Sequence, residues 1–430
     1  MSTLRQIMTS PYLRNILIMF RGTSIGQALP ILAFPLLSRI YLPETIGAYA
    51  VVFALATILG GIAGMRLEFA LITAREEDRF VLIQIILRAM WPLALFYIIV
   101  VAGVGNLLNV EVLNLKLETL VFLIMLIILN LCFNTSQYFN TSFERFSVNS
   151  NSRVILAAGT VVFQILGGLI FDGMLISLFV GRIVAFVLAL LFSVKNIDLS
   201  QMLKKGSQSF GTVLERYLPF IKFYWPSSLI DLAALHAPVI LIGGLFSSAW
   251  VGQYSFAYRG VSVPTATFGQ AISQVFFKRF TDRVNSFGKD PRTLLGTWGV
   301  LASIGLLPFT ALFLWGESIV PFILGQNWAE AGRIVSIISP MALLMFISSP
   351  TSTALLTLGK QKYALIFSIS QLIYKVGALY YGALIEDLYL GLIILTVCHS
   401  IQIIAYNITI YLFMMRNSKD ASNGHPELVS

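Results

Sequence analysis

Twelve apolar runs, each near or above the length of a membrane span, govern what this 430-residue chain can become. A helix crosses the ~30 Å hydrocarbon core of a bilayer in about 20 residues. The runs fall near 15–38, 46–64, 81–104, 118–139, 154–171, 174–193, 219–246, 250–272, 294–315, 332–357, 363–384 and 388–414. Several exceed 22 residues, which implies tilt, kinks or projecting ends. Only 11% of the chain is charged and 57% is apolar, where a soluble chain would carry about 25% charge. Mean hydropathy is +0.83. The expected fold class is therefore all-α and polytopic in the membrane.

Lysine and arginine orient the runs. With the N-terminus inside, the inner segments hold twenty of them, the outer loops three (Arg39, Lys116 and Arg333), and six lie within spans. That is a strong positive-inside bias, and it places both termini in the cytoplasm. The net charge of +9 is spread over short loops, so it reads as topology and not as a nucleic-acid patch. Cys132 and Cys398 both sit in apolar runs and offer neither a disulfide framework nor metal-ligand spacing.

The two halves repeat. IGAYAVVFAL at Ile46–Leu55 parallels VGQYSFAYRG at Val251–Gly260, which aligns Gly47 with Gly252 and Tyr49 with Tyr254. Six helices per copy is an even number, so the copies point the same way and their pseudo-two-fold runs along the membrane normal. This predicts a six-helix N-terminal lobe over 1–205, a six-helix C-terminal lobe over 206–416, and a polar cytoplasmic tail over 417–430. The basic stretch Lys195–Arg216 joins the lobes as a surface helix or linker.

Charges inside the runs are the candidate functional groups, because an ionisable side chain at membrane depth is costly and normally faces a wet cavity or a partner. They concentrate in Pro219–Lys278, which carries Lys222, Asp231, His236 and Arg259 beside three helix-disturbing prolines. Arg182, Arg259 and Lys375 sit eight to twelve residues from either end of their runs. Arg21, Arg88 and Lys222 lie closer to inner ends, about 6–11 Å deep at 1.5 Å per residue. For these three, snorkelling of a long stem to the headgroups competes with a cavity role. Asp231 is the one midplane acid, so three midplane cations leave an electropositive inventory suited to an anionic substrate. Asp231 pairs with a cation or serves as an ion-coupling site, and His236 is a hydrogen-bonding residue or a protonation switch; the residues leave both open. Arg66 and Glu68 are candidates for an inner-gate ion pair.

RGTSIGQALPILAFPLLSRIYLPETIGAYAVV, RLEFALITAREED, YRGVSVPTATFGQAISQVFFKRF and FILGQNWAEAG together resemble the polysaccharide-biosynthesis (Wzx-type, O-antigen flippase) family. The likeness extends over about residues 12–415. That family belongs to the multidrug/oligosaccharidyl-lipid/polysaccharide exporter superfamily. The resemblance implies two six-helix lobes around a central cavity in the bacterial inner membrane. It also implies an undecaprenyl-diphosphate-linked oligosaccharide as cargo, moved from the inner to the outer leaflet, with membrane lipids, H+ or Na+ and other polysaccharide-assembly proteins as partners. A multidrug antiporter of the same superfamily is the nearest alternative and would want an acidic cavity. A relative that flips peptidoglycan precursors would usually have fourteen helices. A polysaccharide polymerase or glycosyltransferase would need a sizeable extramembrane catalytic region, and the longest outer loop, 105–117, is short. The expectation is a flippase, with no enzymatic activity, cofactor, metal or nucleic acid.

Overall fold

Among the described residues, proline and glycine punctuate a chain that is otherwise almost wholly helical. The computed structural model describes residues 11–107, 117–195, 197, 209–287, 291–353 and 361–420. Backbone alone is described at 11–21, 104–107, 277–287 and 416–420, and at scattered positions between 97 and 102, 264 and 275, and 352 and 364. The chain forms two compact units, Met1–Ser255 and Phe256–Ser430.

In the first unit the helices are α1 (Pro11–Leu32), α2 (Phe34–Ile40), α3 (Pro43–Ile62), α4 (Leu67–Thr73), α5 (Glu76–Leu107), α6 (Leu117–Ser142), α7 (Phe146–Ile170), α8 (Leu175–Val194), α9 (Phe210–Arg216) and α10 (Trp225–Leu245). The apolar run expected as one helix over 15–38 is broken at Ala33, because Pro35 sits in the first turn of a new helix and lacks the N–H that continuity requires. Pro43 opens α3 in the same way. A π-helical turn over Phe220–Tyr224 leads into α10, with Pro226 in its first turn. The linker stretch expected as a surface helix contains α9, which docks on α5 through the fully buried Val213.

α11 (Ser248–Phe287) starts in the first unit and continues in the second. α12 (Pro291–Leu324), α13 (Ala329–Ser348), α14 (Gln361–Leu384) and α15 (Leu388–Asp420) follow. α11 has 40 residues and passes well beyond the expected end near 272, since the sequence after that point holds no helix breaker before Gly288. α13 stops sooner than expected: Pro350 follows, and the chain tightens into a 3-10 turn over Ser349–Thr353.

Nine helices among the described residues are long and apolar enough to cross a membrane. They differ in what covers them. In α3, 78% of the most apolar window is buried by protein, against 22% in α7. So α3 is the axis of the first unit, packed on α6, α8 and α10, while α7 turns Leu166, Leu169 and Ile170 outward as a lipid-facing surface. Tyr41, at the α2–α3 corner, donates to the Gln164 carbonyl at 2.6 Å and pairs with the Ser177 hydroxyl at 2.8 Å, which fixes that corner to α7 and α8. In the second unit α13 packs on α12 and α15. Phe276, Leu294, Ile410 and Met414 form an apolar core there, with Trp298 against it donating to Thr351 at 3.1 Å. Trp328 is fully buried and stacks on Phe256 at 4.2 Å, so it is a packing residue.

Candidate functional site

The first turns of α3 and α11 cross at van der Waals limits. A Cβ on Gly47 would lie 1.7 Å from the Ser248 carbonyl oxygen, and one on Gly252 would lie 2.0 Å from the Pro43 carbonyl oxygen. The contact is reciprocal: each glycine meets the carbonyl four residues before the other glycine. These are the two glycines that the repeat aligns, and the arrangement is that of a local two-fold axis. Glycine is required at both because its missing Cβ lets one helix backbone reach the other, the usual device of close helix pairs in lipid. Tyr49 and Tyr254, also repeat partners, are both buried beside the crossing.

At the other end of α3 the chain reverses through Met65 and Arg66, both at positive φ (50° and 59°), in the left-handed region that non-glycine residues seldom occupy. The reversal puts Glu68 inside the protein, at 1% exposure, with Arg66 donating to it from 3.4 Å. Its second carboxylate oxygen has no hydrogen-bond partner among the described residues. Burial pushes the Glu68 carboxyl above the usual carboxylate range, although its own backbone N–H and Arg66 pull the other way. Arg66 also lies over the Phe69 ring at 4.9 Å, and Phe69 packs on Tyr138. Tyr138 feels the charges of Glu68, Arg66 and Arg153. Arg153 donates to Gln137 and to Thr23, both at 3.2 Å. The expected pair of Arg66 and Glu68 is thus brought together, with Tyr138 and Arg153 around it. No sequence signal singles those two out: Arg153 lies early in α7 and Tyr138 late in α6, and only the packing of one helix on the other brings them together.

A second ionic knot ties the linker helix to the membrane domain. Asp78, fully buried at the start of α5, accepts from Arg216 at 2.5 Å and from the Tyr217 hydroxyl at 3.1 Å. Tyr217 in turn accepts from the Arg75 backbone N–H at 3.3 Å.

The intramembrane charges fall into different settings. Arg182 is boxed between rings, 4.9 Å over Phe53 and 4.6 Å over Phe186, and donates to Thr160 at 2.9 Å. Arg88 is exposed and covers the Phe210 ring of the linker helix at 4.4 Å. Lys222 is exposed in the π-helical turn, Asp231 is exposed on α10, and His236 is half-buried one turn further on. No ion pair to Asp231 occurs among the described residues. The Arg21 side chain lies outside the described residues. In the second unit Arg259 is half-buried on α11, while Lys375 is 6% exposed on α14 and close enough to His399 on α15 for their charges to interact.

His399 belongs to a hydrogen-bond network with Tyr374 and Gln402. Tyr374 bonds to His399 Nδ1 and donates to Gln402 Oε1 at 2.7 Å. Gln402 Nε2 donates to the Phe367 carbonyl and to Ser370 Oγ, both at 2.6 Å. A cavity of about 200 Å³ adjoins it, between the end of α13 and the facing parts of α14 and α15. No cluster of three or more metal-ligating side chains occurs among the described residues.

Known proteins share both sequence and fold with this chain. It is 23% identical to the succinoglycan biosynthesis transport protein ExoT of Rhizobium meliloti (strain 1021) over 385 residues, which covers 88% of this chain and 75% of the relative. It is 22% identical to the teichuronic acid biosynthesis protein TuaB of Bacillus subtilis (strain 168) over 151 residues, 35% of this chain and 31% of that protein. A solved structure of the lipid II flippase MurJ, in an inward closed conformation, superposes with a TM-score of 0.72 at 12% identity, covering 94% of this chain and 90% of that one. An inward-facing multidrug-resistance MATE family transporter of the MOP superfamily superposes at 0.57 and 14%, covering 94% and 96%. At such identities these neighbours speak to the fold alone, which this chain shares with them. Residues 36–333 match the polysaccharide biosynthesis protein family, and the chain belongs to that family.

Proposed function

We propose that this protein is a flippase that carries an undecaprenyl-diphosphate-linked oligosaccharide from the inner to the outer leaflet of a bacterial inner membrane. The cargo is an O-antigen or other surface-polysaccharide repeat unit. The protein is a multi-pass membrane transporter and not an enzyme, as its relatives are. The succinoglycan biosynthesis transport protein and the lipid II flippase support the cargo class by their names.

One observation carries the mechanism: the reciprocal crossing of Gly47 and Gly252. Two copies of one helix opener that meet about a local two-fold form a contact that can part and re-form when two halves rock. The repeat supports twelve spans in two lobes, over 1–205 and 206–416, with a tail over 417–430. The lysine and arginine bias supports cytoplasmic termini, which puts the crossing at the outer face and the Arg66–Glu68 turn at the inner face. Alternating access then needs the two ends of α3 to close in turn.

Arg182, Arg259 and Lys375, with Arg21, Arg88 and Lys222 nearer the inner face, supply the cationic path for the diphosphate. An inside-negative potential favours outward movement of that charge by about 2.3 kcal/mol per charge per 100 mV. Asp231 and His236 are the coupling groups for H+ or Na+. The test is export: Arg182→Ala, Arg259→Ala and Lys375→Ala each reduce surface polysaccharide in a flippase-null strain while the protein still inserts. Full complementation by all three would sink the cationic path.

A further inference from the structure

We propose that the cavity in the second unit is a subsite for one neutral sugar ring of the cargo; this rests on the flippase reading above. Its volume of about 200 Å³ is room for roughly six or seven waters at ~30 Å³ each, which suits a single ring. The lining is chemically selective. Gln371 brings an amide and Ser368 a hydroxyl, Gln402 and Ser348 bring oxygens that can still accept although their protons are spent within the protein, and Phe367 and Tyr406 bring aromatic rings. No acid or base lines it among the described residues. A phosphate would call for cations and a metal ion for carboxylates, whereas amides and hydroxyls around an aromatic wall match a ligand that is uncharged and rich in hydroxyl groups. Phe367 and Tyr406 meet edge to face at 4.9 Å and both line the cavity, which supplies aromatic surface for the C–H side of a sugar.

The wall is rigid before any ligand arrives. The Phe367 carbonyl can only accept, so the group that faces it at 2.6 Å must be the Gln402 NH2, and the Gln402 oxygen then faces Tyr374. Tyr374 spends its one proton on that oxygen, so its own oxygen accepts from His399 Nδ1–H. Gln371 is also hydrogen-bonded to Tyr374. Every member of the chain is thereby oriented, and a site held in place loses little freedom on binding. Its position fits loading. Ser348 ends α13, and Phe367 and Ser368 lie two turns from the start of α14; in the proposed orientation both ends are cytoplasmic.

The experiment measures binding to the full-length protein in nanodiscs with two probes, undecaprenyl diphosphate alone and undecaprenyl-diphosphate-linked N-acetylhexosamine. Wild type is expected to bind the sugar-bearing lipid about tenfold more tightly, the worth of one or two net hydrogen bonds. Gln371→Leu, which keeps the size and loses the amide, and Ser368→Phe, which fills the cavity, each erase the difference. Binding of the bare lipid reports that each variant is folded. Equal binding of both lipids by wild type, or a tenfold preference that survives both variants, overturns the subsite and leaves the flippase reading standing. Failure of wild type to bind either lipid overturns both.

Discussion

The two ends of α3 are closed by different physics. At Gly47 the contact is backbone on backbone, with the Ser248 carbonyl where a Cβ would be and no charged group involved. At Gly64 the neighbours of an added Cβ are the tips of side chains, Glu68 Oε2 at 2.6 Å and Leu131 Cδ1 at 2.8 Å, and the closure is held by a buried acid and its arginine. Shape closes one end and charge the other. A transporter whose two ends open in turn gains from that difference, because a condition that loosens the ionic end, such as a competing anion, leaves the shape-closed end untouched.

The largest effect is expected where backbone cannot yield. Gly47→Ala and Gly252→Ala force the two helices apart, and each should abolish most export of surface polysaccharide while the protein still accumulates in the membrane. Paired cysteines at Pro43 and Ser248 would lose their disulfide cross-link in either variant. Retention of both export and cross-link would mean that the crossing is incidental. The same substitution at the ionic end, Gly64→Ala, meets flexible side-chain ends and should lower export only a few-fold. If Gly64→Ala proves as severe as Gly47→Ala, the distinction between the two ends fails.

The smallest effect is a pH slope. Glu68 takes up its proton more readily in the folded protein than in an open chain. Its contribution is therefore fully present below the ordinary carboxylate pKa and is lost as pH rises through the raised one. Thermal stability in nanodiscs should fall across that interval, with Arg66 beside the carboxylate and Tyr138 facing it from α6. Glu68→Gln should flatten the slope and leave a melting temperature about equal to that of wild type at its acidic plateau. An unchanged slope in Glu68→Gln assigns the pH dependence elsewhere.

Much of the architecture was legible because its signals are local or periodic. The apolar runs mark the spans and the alignment of Gly47 with Gly252 marks the repeat, whereas the break that Pro35 makes in the run over 15–38 is masked by its apolar neighbours. That these two glycines touch each other was not legible, since a repeat shows equivalence and says nothing about contact. Arg66 and Glu68 lie two residues apart, so their pairing could be read directly. Arg153 joined them through Gln137 and Tyr138 on another helix, a juxtaposition that only the packing of α6 on α7 creates. The sugar subsite was missed for a different reason: its residues are neutral and sit in strongly apolar runs, where attention goes to charges. A signal did exist. Ser368, Gln371 and Tyr374 recur every three residues on one helix, and Gln402 and Tyr406 four apart on the next, which places polar groups along one face of each.

Purified protein reconstituted into vesicles would decide whether this chain moves lipid-linked glycan. A fluorescent undecaprenyl-diphosphate-linked oligosaccharide would be placed in both leaflets, and its access to an enzyme added outside that cleaves the glycan followed over time. Wild type should expose nearly the whole pool, and Gly47→Ala only the half that begins outside. Exposure of half the pool by wild type, together with efflux of a cationic drug from the same vesicles, would contradict the flippase and favour the multidrug antiporter.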